Sequence, residues 1–370
     1  MKKNVSEAYV KRSIALLRAA EGDAIEVARI LGEIHKRIID SIDKKYLTLY
    51  NMGQVESISD SIKKELETFY KNDLPKEFLS ISSLVVEKEL AWNIEAIAGL
   101  IDKKTTDLLK PAYKKTIKSA ATKQYQGKTF DQWLSGAFSS NVKQIDKTLK
   151  TSFVEGKSIS EVVTEINRIN GRALKDSKAL TRAFFMHNAV EAKQRVFELN
   201  PNVVIGSIWV STLDSRTTPL ICGIRDQKQY DLNHNPVGHS LPYLNGAGRA
   251  HFGCRSIEIP KLKGVDDIEM NRRAVVAGDK YKSGDNLTRN GTVRKPTKDA
   301  REKEIFGIAQ TTTATDYEIF LKAQAKKNID YVADILKSKE DAILFRDGKI
   351  TLLELSKENP VFNPTNRNRL

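Results

Sequence analysis

Residues 178–213 read KALTRAFFMHNAVEAKQRVFELNPNVVIGSIWVSTL, and this stretch contains the change of pattern that decides the fold. Up to Leu199 the apolar residues recur at the three- and four-residue steps of an amphipathic helix. Asn200 and Pro201 end that pattern, and residues 203–213 are rich in β-branched side chains, as in a buried strand. The sequence therefore predicts a long helical part followed by a part that contains strands.

The chain before this point has the pattern of consecutive helices. Residues 24–40, AIEVARILGEIHKRIID, carry one apolar stripe and residues 78–109 carry another, as in helices that share a core. His35 lies beside the first stripe, where we expect a hydrogen-bonded residue on the helix surface. Ser158 begins a capping box that predicts a further helix start, and Gly171 is predicted to end that helix.

The chain after residue 213 changes composition twice. Residues 214–253 are polar and rich in glycine, and residues 254–260, CRSIEIP, alternate like a half-buried strand. Helical periodicity returns from residue 316. We therefore predict a mainly α fold with a small α+β module. The predicted domains are an extended helical N-terminal domain (1–175), a compact strand-containing domain (176–260), a basic linker or arm (261–315) and a C-terminal helical segment (316–370).

The composition excludes several classes of protein. The 370 residues include 61 Lys+Arg and 47 Asp+Glu, which gives a formal net charge of +14, and only 2 Cys. Two cysteines exclude a disulfide-stabilised secreted scaffold and favour a reducing compartment. No uncharged apolar run approaches the length of a membrane span, and charges within the first apolar pattern argue against a signal peptide. We expect an intracellular protein with no membrane partner.

The positive charge is concentrated in two regions. Residues 101–150 contain 11 Lys and 4 Asp, and residues 261–305 contain 12 Lys+Arg and 8 Asp+Glu. Such stripes bind phosphate backbones or acidic protein surfaces, although an ordinary solvated helix face would have the same composition. The candidate contacts to double-stranded DNA, without sequence specificity, are Lys114, Lys115, Lys118, Arg272, Arg273, Arg294 and Lys295.

Both cysteines and three of the five histidines fall within residues 222–254. His251 and Cys254 are spaced so that one turn could present an imidazole and a thiolate to a single ion, and Cys222 could approach if the flanking strands pair. The candidates for a fourth ligand are His234, His239 and Asp214. A zinc ion would order this long loop, because metal binding contributes folding energy. The alternative is a pair of buried reduced thiols with surface histidines.

The same loop contains a poor match to a metal-dependent nuclease. The series Asp231, His234, Asn245 and His251 has the residue types of a histidine–asparagine–histidine finger, in which one His is a general base and others hold a divalent ion. The surrounding glycines and prolines do not fit the strand and helix that such a finger needs. The chain also has no phosphate-binding glycine motif and no local signature of a Cys–His nucleophile. We therefore predict no enzymatic activity.

Residues 209–217, WVSTLDSRT, follow directly from the predicted strand. An aspartate at a strand end can accept hydrogen bonds from the next backbone N–H groups, here those of residues 215–217, and it can pair with an arginine. For Asp214 the candidate arginines are Arg216 and Arg255. We interpret these residues as structural, because they would hold the module together without taking part in a reaction.

Three segments in this order resemble the phage head morphogenesis family, the minor head proteins typified by protein F of phage Mu and the minor capsid protein of phage SPP1. They are TRAFFMHNAVEAKQRVF, WVSTLDSRTTPLICG and HFGCRSIEIP, within residues 179–260, and residues 316–355 are similar to a segment that often follows. The positions that match the family pattern are Trp209, Asp214, Arg216, Thr217, Cys222, His251, Cys254 and Arg255. Thr218 and Ser256 depart from it, since many members have cysteine there.

The resemblance implies a low-copy component of the virion head, without catalytic activity, assembled in the host cytoplasm and associated with the portal vertex. Its implied partners are the portal protein, capsid or scaffold proteins and packaged double-stranded DNA. No cofactor is expected other than the zinc ion considered above. Two alternatives stay open: a metal-dependent nuclease built on residues 231–251, and a free nucleic-acid-binding protein with no structural role.

Overall fold

The computed structural model describes residues 5–46, 51–97, 116, 122–264, 271–277, 286–287, 293–294, 307–313 and 316–358. Its helices are α1 (Val5–Lys45), α2 (Met52–Thr68), α3 (Leu74–Ile97), α4 (Phe130–Val154), α5 (Ile159–Glu198), α6 (Tyr317–Lys327), α7 (Ile329–Leu336), α8 (Lys339–Arg346) and α9 (Leu352–Glu358). Its strands are β1 (Val204–Val210), β2 (Gln229–Asp231), β3 (Pro236–Val237), β4 (Ile257–Leu262), β5 (Asn271–Ala277), β6 (Asn286–Leu287), β7 (Val293–Arg294) and β8 (Gly307–Thr313). The fold is mainly α with a small α+β module, as the sequence predicts. Within the described ranges, no helix combines the length and apolar character that a membrane crossing requires.

The described chain divides into two compact units, and one of them is helical. This helical unit comprises residues 14–95 and 102–196. A π-helical turn, Phe69–Asp73, joins α2 directly to α3, and a capping box at Thr129 starts α4. The apolar stripes of these helices meet in one core, whose members include Leu31, Ile38, Leu66, Phe78, Phe130, Ile166 and Phe184.

Two details of the helical unit differ from the sequence prediction. Helix α5 continues through Gly171, because a glycine inside a helix costs only about 1 kcal/mol and buried apolar residues on both sides of it hold the helix in place. The boundary predicted between residues 175 and 176 therefore falls inside α5, and the compact units divide after Val196. His35 is buried instead of lying on the helix surface, and neither ring nitrogen has a hydrogen-bond partner among the described residues.

The second unit contains the sheet and includes the chain from Phe197 onwards. Four strands pair antiparallel in the order β3-β2-β1-β4. Strand β1 is central and all but one of its residues are buried, which explains its continuous β-branched and apolar pattern. Gly206 lies where the pairing of β1 with β4 shifts register, and a Cβ at this position would collide with the carbonyl group of Tyr230 on β2.

The C-terminal helices α6–α9 belong to this same unit. Their buried side chains form one apolar cluster with Leu213 and Leu220 from the loop after β1. Tyr317 is fully buried, and its hydroxyl donates to the carbonyl oxygen of Asp214 at 3.3 Å. A glycine is needed opposite this ring, because a Cβ at Gly223 would lie 2.5 Å from Cδ1 of Tyr317. The first C-terminal helix is thereby fixed to the loop that follows β1.

Most of residues 261–315, predicted as a basic linker or arm, lies outside the described residues. Within this region β5 pairs antiparallel with β8, and β6 with β7, a pairing that the sequence analysis did not predict. Four candidate DNA contacts lie outside the described residues, namely Lys114, Lys115, Lys118 and Lys295. For three others only the backbone is described, in strands β5 and β7, namely Arg272, Arg273 and Arg294.

Candidate functional site

The turn after β1 is built around the buried carboxylate of Asp214. Its side chain is 4% exposed and forms a bidentate ion pair with Arg255, whose side chain is 16% exposed. Arg255 Nη1 donates to Oδ2 at 2.7 Å, and Nη2 donates to Oδ1. Oδ1 also accepts the backbone N–H groups of Arg216 at 3.0 Å and Thr217 at 3.1 Å. Arg255 is therefore the arginine that pairs with Asp214, whereas Arg216 contributes its backbone.

Trp209, near the end of β1, connects the strand to the loop that follows. The indole is fully buried, and its Nε1 donates to Ser211 Oγ at 3.2 Å. Ser211 Oγ in turn donates to the carbonyl oxygen of Cys222 at 2.7 Å. The guanidinium of Arg225, a buried residue, lies 6.0 Å from the Trp209 ring and donates to the carbonyl oxygen of Pro242 at 2.9 Å. These contacts lock the loop onto the strand.

A second buried carboxylate, Asp226, was not singled out from the sequence. Its Oδ1 accepts the backbone N–H of Ser211, and its Oδ2 accepts that of Tyr317, both at 2.7 Å. One side chain thus joins the end of β1 to the start of α6. No sequence signal marks this residue, because Ser211 and Tyr317 are distant along the chain and the groups that they offer are backbone N–H groups.

A third buried carboxylate, Glu258 on β4, was missed as well. It accepts the backbone N–H of Ala247 at 3.0 Å and a short hydrogen bond from the hydroxyl of Tyr243. Glu258 lies between Ile257 and Ile259, and in the half-buried strand that the alternation predicts, a polar residue between two isoleucines would face solvent. The loop covers that face of the strand, and both faces of β4 are buried.

Cys222, His251 and Cys254 come together and are called here the thiol–imidazole cluster. Cys222 Sγ lies 3.7 Å from Cys254 Sγ and 3.1 Å from His251 Nε2, and the three candidate ligand atoms all lie within 4.8 Å of one another. Both thiols are buried and free. The backbone N–H of Cys254 donates to the carbonyl oxygen of His251 at 3.1 Å, so these two residues share one tight turn, as their spacing predicts. Gly253 permits this turn with a φ of +73°.

The imidazole of His251 is oriented by its neighbours. Its Nδ1 lies 2.9 Å from the carbonyl oxygen of Phe252, and because a carbonyl oxygen only accepts, Nδ1 carries a proton. This leaves Nε2 facing the two sulfur atoms. Thr218 borders the same nitrogen, with its Oγ1 3.3 Å from Nε2.

The members of the cluster shift one another's pKa values. Burial opposes ionisation of Cys254, but hydrogen bonds with Cys222 and His251 outweigh burial and lower the pKa of the Cys254 thiol well below its ordinary value. The hydrogen bond with Cys254, together with burial, raises the pKa of Cys222. Burial disfavours the charged form of His251, yet the hydrogen bond with Cys254 raises its pKa overall. Hydrogen bonding within the cluster therefore favours ionisation of Cys254 over ionisation of Cys222.

The nuclease match is divided in the structure, because His251 belongs to the thiol–imidazole cluster whereas Asp231 and His234 contact other groups. Asp231 accepts the backbone N–H of Asn235 at 2.8 Å, the ring of His234 stacks on Tyr243 with centroids 4.1 Å apart, and Nε2 of His239 donates to a backbone carbonyl oxygen. The candidate fourth ligands, His234, His239 and Asp214, lie outside the cluster. Among the His, Cys, Asp and Glu side chains of the described residues, a group close enough to share a metal ion is formed only by Cys222, His251 and Cys254.

Comparisons of the chain with protein-family models, curated proteins and solved structures found no match. The function therefore has to be inferred from the chemistry of the site. Three buried carboxylates each accept at least two hydrogen bonds, which is how a carboxylate joins segments of chain. The thiol–imidazole cluster differs from them, because its sulfur and nitrogen atoms face one another and could bind an ion.

Proposed function

We propose that the protein is a phage minor head protein, a low-copy and non-enzymatic component that acts in head assembly at the portal vertex of the virion. One observation carries the proposal: the positions that match the family pattern belong to one unit and contact each other. Asp214 binds Arg255 and the backbone of Arg216 and Thr217. Cys222, His251 and Cys254 lie together in the thiol–imidazole cluster. A pattern whose members stabilise a shared module is expected of an assembly protein.

The contacts in the loop favour this proposal over a nuclease. Hydrolysis needs a general base or a metal-bound water that can reach the substrate. Asp231 instead accepts hydrogen bonds that shape its own turn, and His234 stacks on Tyr243. We expect no cleavage of plasmid DNA in Mg²⁺ or Mn²⁺. Cleavage that is lost in His234→Ala would make the nuclease the better explanation.

The proposed partners are the portal protein, then capsid or scaffold proteins, and packaged double-stranded DNA bound without sequence specificity. The net charge of +14 suits a chain that lies near DNA, and it equally suits an acidic protein surface. Charge alone therefore does not separate the portal from the DNA, and the two partners need separate measurements.

Co-expression with the portal protein of the same phage tests the proposal. We expect the chain to co-purify with portal rings in sub-stoichiometric amount and to be present in purified heads. Asp214→Ala should reduce incorporation, because it loosens the turn, whereas the surface variant Asp231→Ala should be incorporated normally. DNA binding with no capture by the portal would instead support a free nucleic-acid-binding protein.

A further inference from the structure

We propose that the thiol–imidazole cluster is a zinc site in which Cys222, His251 and Cys254 bind one Zn²⁺. The inference goes beyond the proposed role in the head and does not depend on it. Two thiolates and one imidazole form a set of ligands that suits zinc better than the oxygen-seeking ions Mg²⁺ and Ca²⁺.

The distances between the candidate ligands fit a tetrahedral ion. Zinc binds sulfur at about 2.3 Å and imidazole nitrogen at about 2.0–2.1 Å. Tetrahedral angles then place two sulfur ligands about 3.8 Å apart, and a sulfur and a nitrogen about 3.6 Å apart. The Sγ atoms of Cys222 and Cys254 are 3.7 Å apart, and Cys222 Sγ is 3.1 Å from His251 Nε2. A shift of about half an ångström would bring Cys222 Sγ and His251 Nε2 to the tetrahedral distance. The third pair of ligand atoms, from Cys254 and His251, lies within 4.8 Å. A disulfide would require a much larger shift, since its sulfur atoms lie about 2.0 Å apart.

The orientation of His251 is the second observation that points to a metal. A histidine that binds a metal through one nitrogen usually donates its other N–H to a carbonyl or carboxylate oxygen, which fixes the ring and its tautomer. Nδ1 of His251 donates to the Phe252 carbonyl oxygen at 2.9 Å, and Nε2 faces the thiols. The lone pair of Nε2 is thereby directed at the position that the ion would occupy.

The charges of the ligands and the ion would balance in this buried place. Both cysteines are buried, and a buried charge is stable only when it is paired or bound to a metal. Zn²⁺ supplies two positive charges, so that the ion, two thiolates and a neutral imidazole sum to zero. Three protein ligands leave a fourth position for a water molecule, which the hydroxyl of Thr218, 3.3 Å from Nε2, could hydrogen-bond.

The ion would join the two ends of the long loop. Cys222 lies at the start of residues 222–254 and the turn of His251 and Cys254 lies at their end. Strand β2 and the glycine-rich turns lie between them. Because a metal that binds the folded state alone adds its binding energy to folding, zinc would hold this stretch closed more firmly than the hydrogen bonds do alone.

Metal analysis of the full-length chain tests the site. The chain is produced under reducing conditions, passed through gel filtration and analysed by mass spectrometry for metals. We expect about one zinc per chain, and a loss of at least tenfold in Cys222→Ser and in Cys254→Ser. His234→Ala is the matched control, since it removes a histidine of the same loop that lies outside the cluster, and it should keep its zinc.

Cobalt gives a readout that does not depend on the stability of a variant. Wild-type chain stripped with a chelator and loaded with Co²⁺ should show the near-ultraviolet absorption of thiolate bound to cobalt, and Zn²⁺ should displace it. The chelator alone should also expose residues 223–250 to protease, and added zinc should reverse this. The proposal is overturned if the wild-type chain takes up neither zinc nor cobalt, if His234→Ala loses zinc as fully as Cys254→Ser, or if the two cysteines are found joined in a disulfide.

Discussion

Replacing Asp214 by alanine would remove the central acceptor of the turn after β1. Arg255, only 16% exposed, would lose both bonds of its ion pair, and the backbone N–H groups of Arg216 and Thr217 would lose their acceptor. Breaking a buried ion pair by removing one partner costs about 3–5 kcal/mol, because the remaining charge stays buried without compensation. We expect the free energy of unfolding of the strand-containing unit to fall by about that amount.

The loss can be measured in this unit alone. Trp209 is fully buried there, whereas Trp92 and Trp133 lie in the helical unit and can be replaced by phenylalanine in every protein compared. Urea unfolding followed by Trp209 fluorescence then reports on the strand-containing unit. Asp231→Ala is the matched control, because its carboxylate also accepts loop N–H groups but lies near the surface, so that its loss should cost about 1 kcal/mol or less.

A double-mutant cycle decides whether the ion pair is the cause. Asp214→Ala and Arg255→Ala remove the same contact, so the double variant should lose less stability than the two single losses added together. We expect the difference to be about 1–3 kcal/mol. A loss below about 1 kcal/mol in Asp214→Ala, or effects that simply add, would refute the reasoning.

Three further variants and one binding measurement test other features. Burial lowers the pKa of His35 to about 4, below the ordinary value of about 6.5. As pH falls, the unfolded chain therefore gains its proton first, and the helical unit loses stability between about pH 6.5 and pH 4, by about 2 kcal/mol at pH 5. The loss appears as a lower urea midpoint at pH 5 than at pH 7, and His35→Leu should abolish this difference. A difference that is unchanged in His35→Leu would show that His35 is not its cause. Gly171→Ala should stabilise the helical unit by about 0.5–1 kcal/mol, since an added Cβ meets nothing within 4 Å; a lower melting temperature would count against this. Gly223→Ala should destabilise the strand-containing unit by about 1–3 kcal/mol, because the new Cβ would lie 2.5 Å from the ring of Tyr317, and an unchanged Trp209 unfolding curve would show that the ring can move away. If about five phosphates are neutralised, the logarithm of DNA affinity should fall with the logarithm of salt concentration at a slope near −4 to −5, and a flat response would exclude electrostatic binding.

The sequence predicted those features that depend on neighbouring residues. The change from helix to strand after Asn200 is local, since one pattern ends and another begins within three residues. The hydrogen bonds that Asp214 accepts from the backbone of Arg216 and Thr217 are local in the same way. The sequence left its ion-pair partner open between Arg216 and Arg255, and the observed partner, Arg255, is 41 residues away. The shared turn of His251 and Cys254 follows from their spacing.

The features that the sequence did not predict depend on contacts between distant segments. The burial of Asp226 and Glu258 follows from backbone donors elsewhere in the chain, which leave no trace in local composition. His35 lies one turn from both Leu31 and Ile38 on helix α1, so it shares their buried face, but a polar residue next to an apolar stripe is usually exposed. Gly171 failed as a helix end because tertiary packing outweighs a weak local preference.

Asp226 accepts one hydrogen bond from the residue after β1 and another from the first residue of α6, so its side chain holds these two places together. Gly264 and Asp316, which bound residues 265–315, therefore belong to the same unit. In a segment tethered at both ends, doubling the number of residues costs only about 0.6 kcal/mol of chain entropy. An epitope or a fluorescent domain inserted into this segment should accordingly leave the module folded, which offers a way to label the protein and follow it through particle assembly.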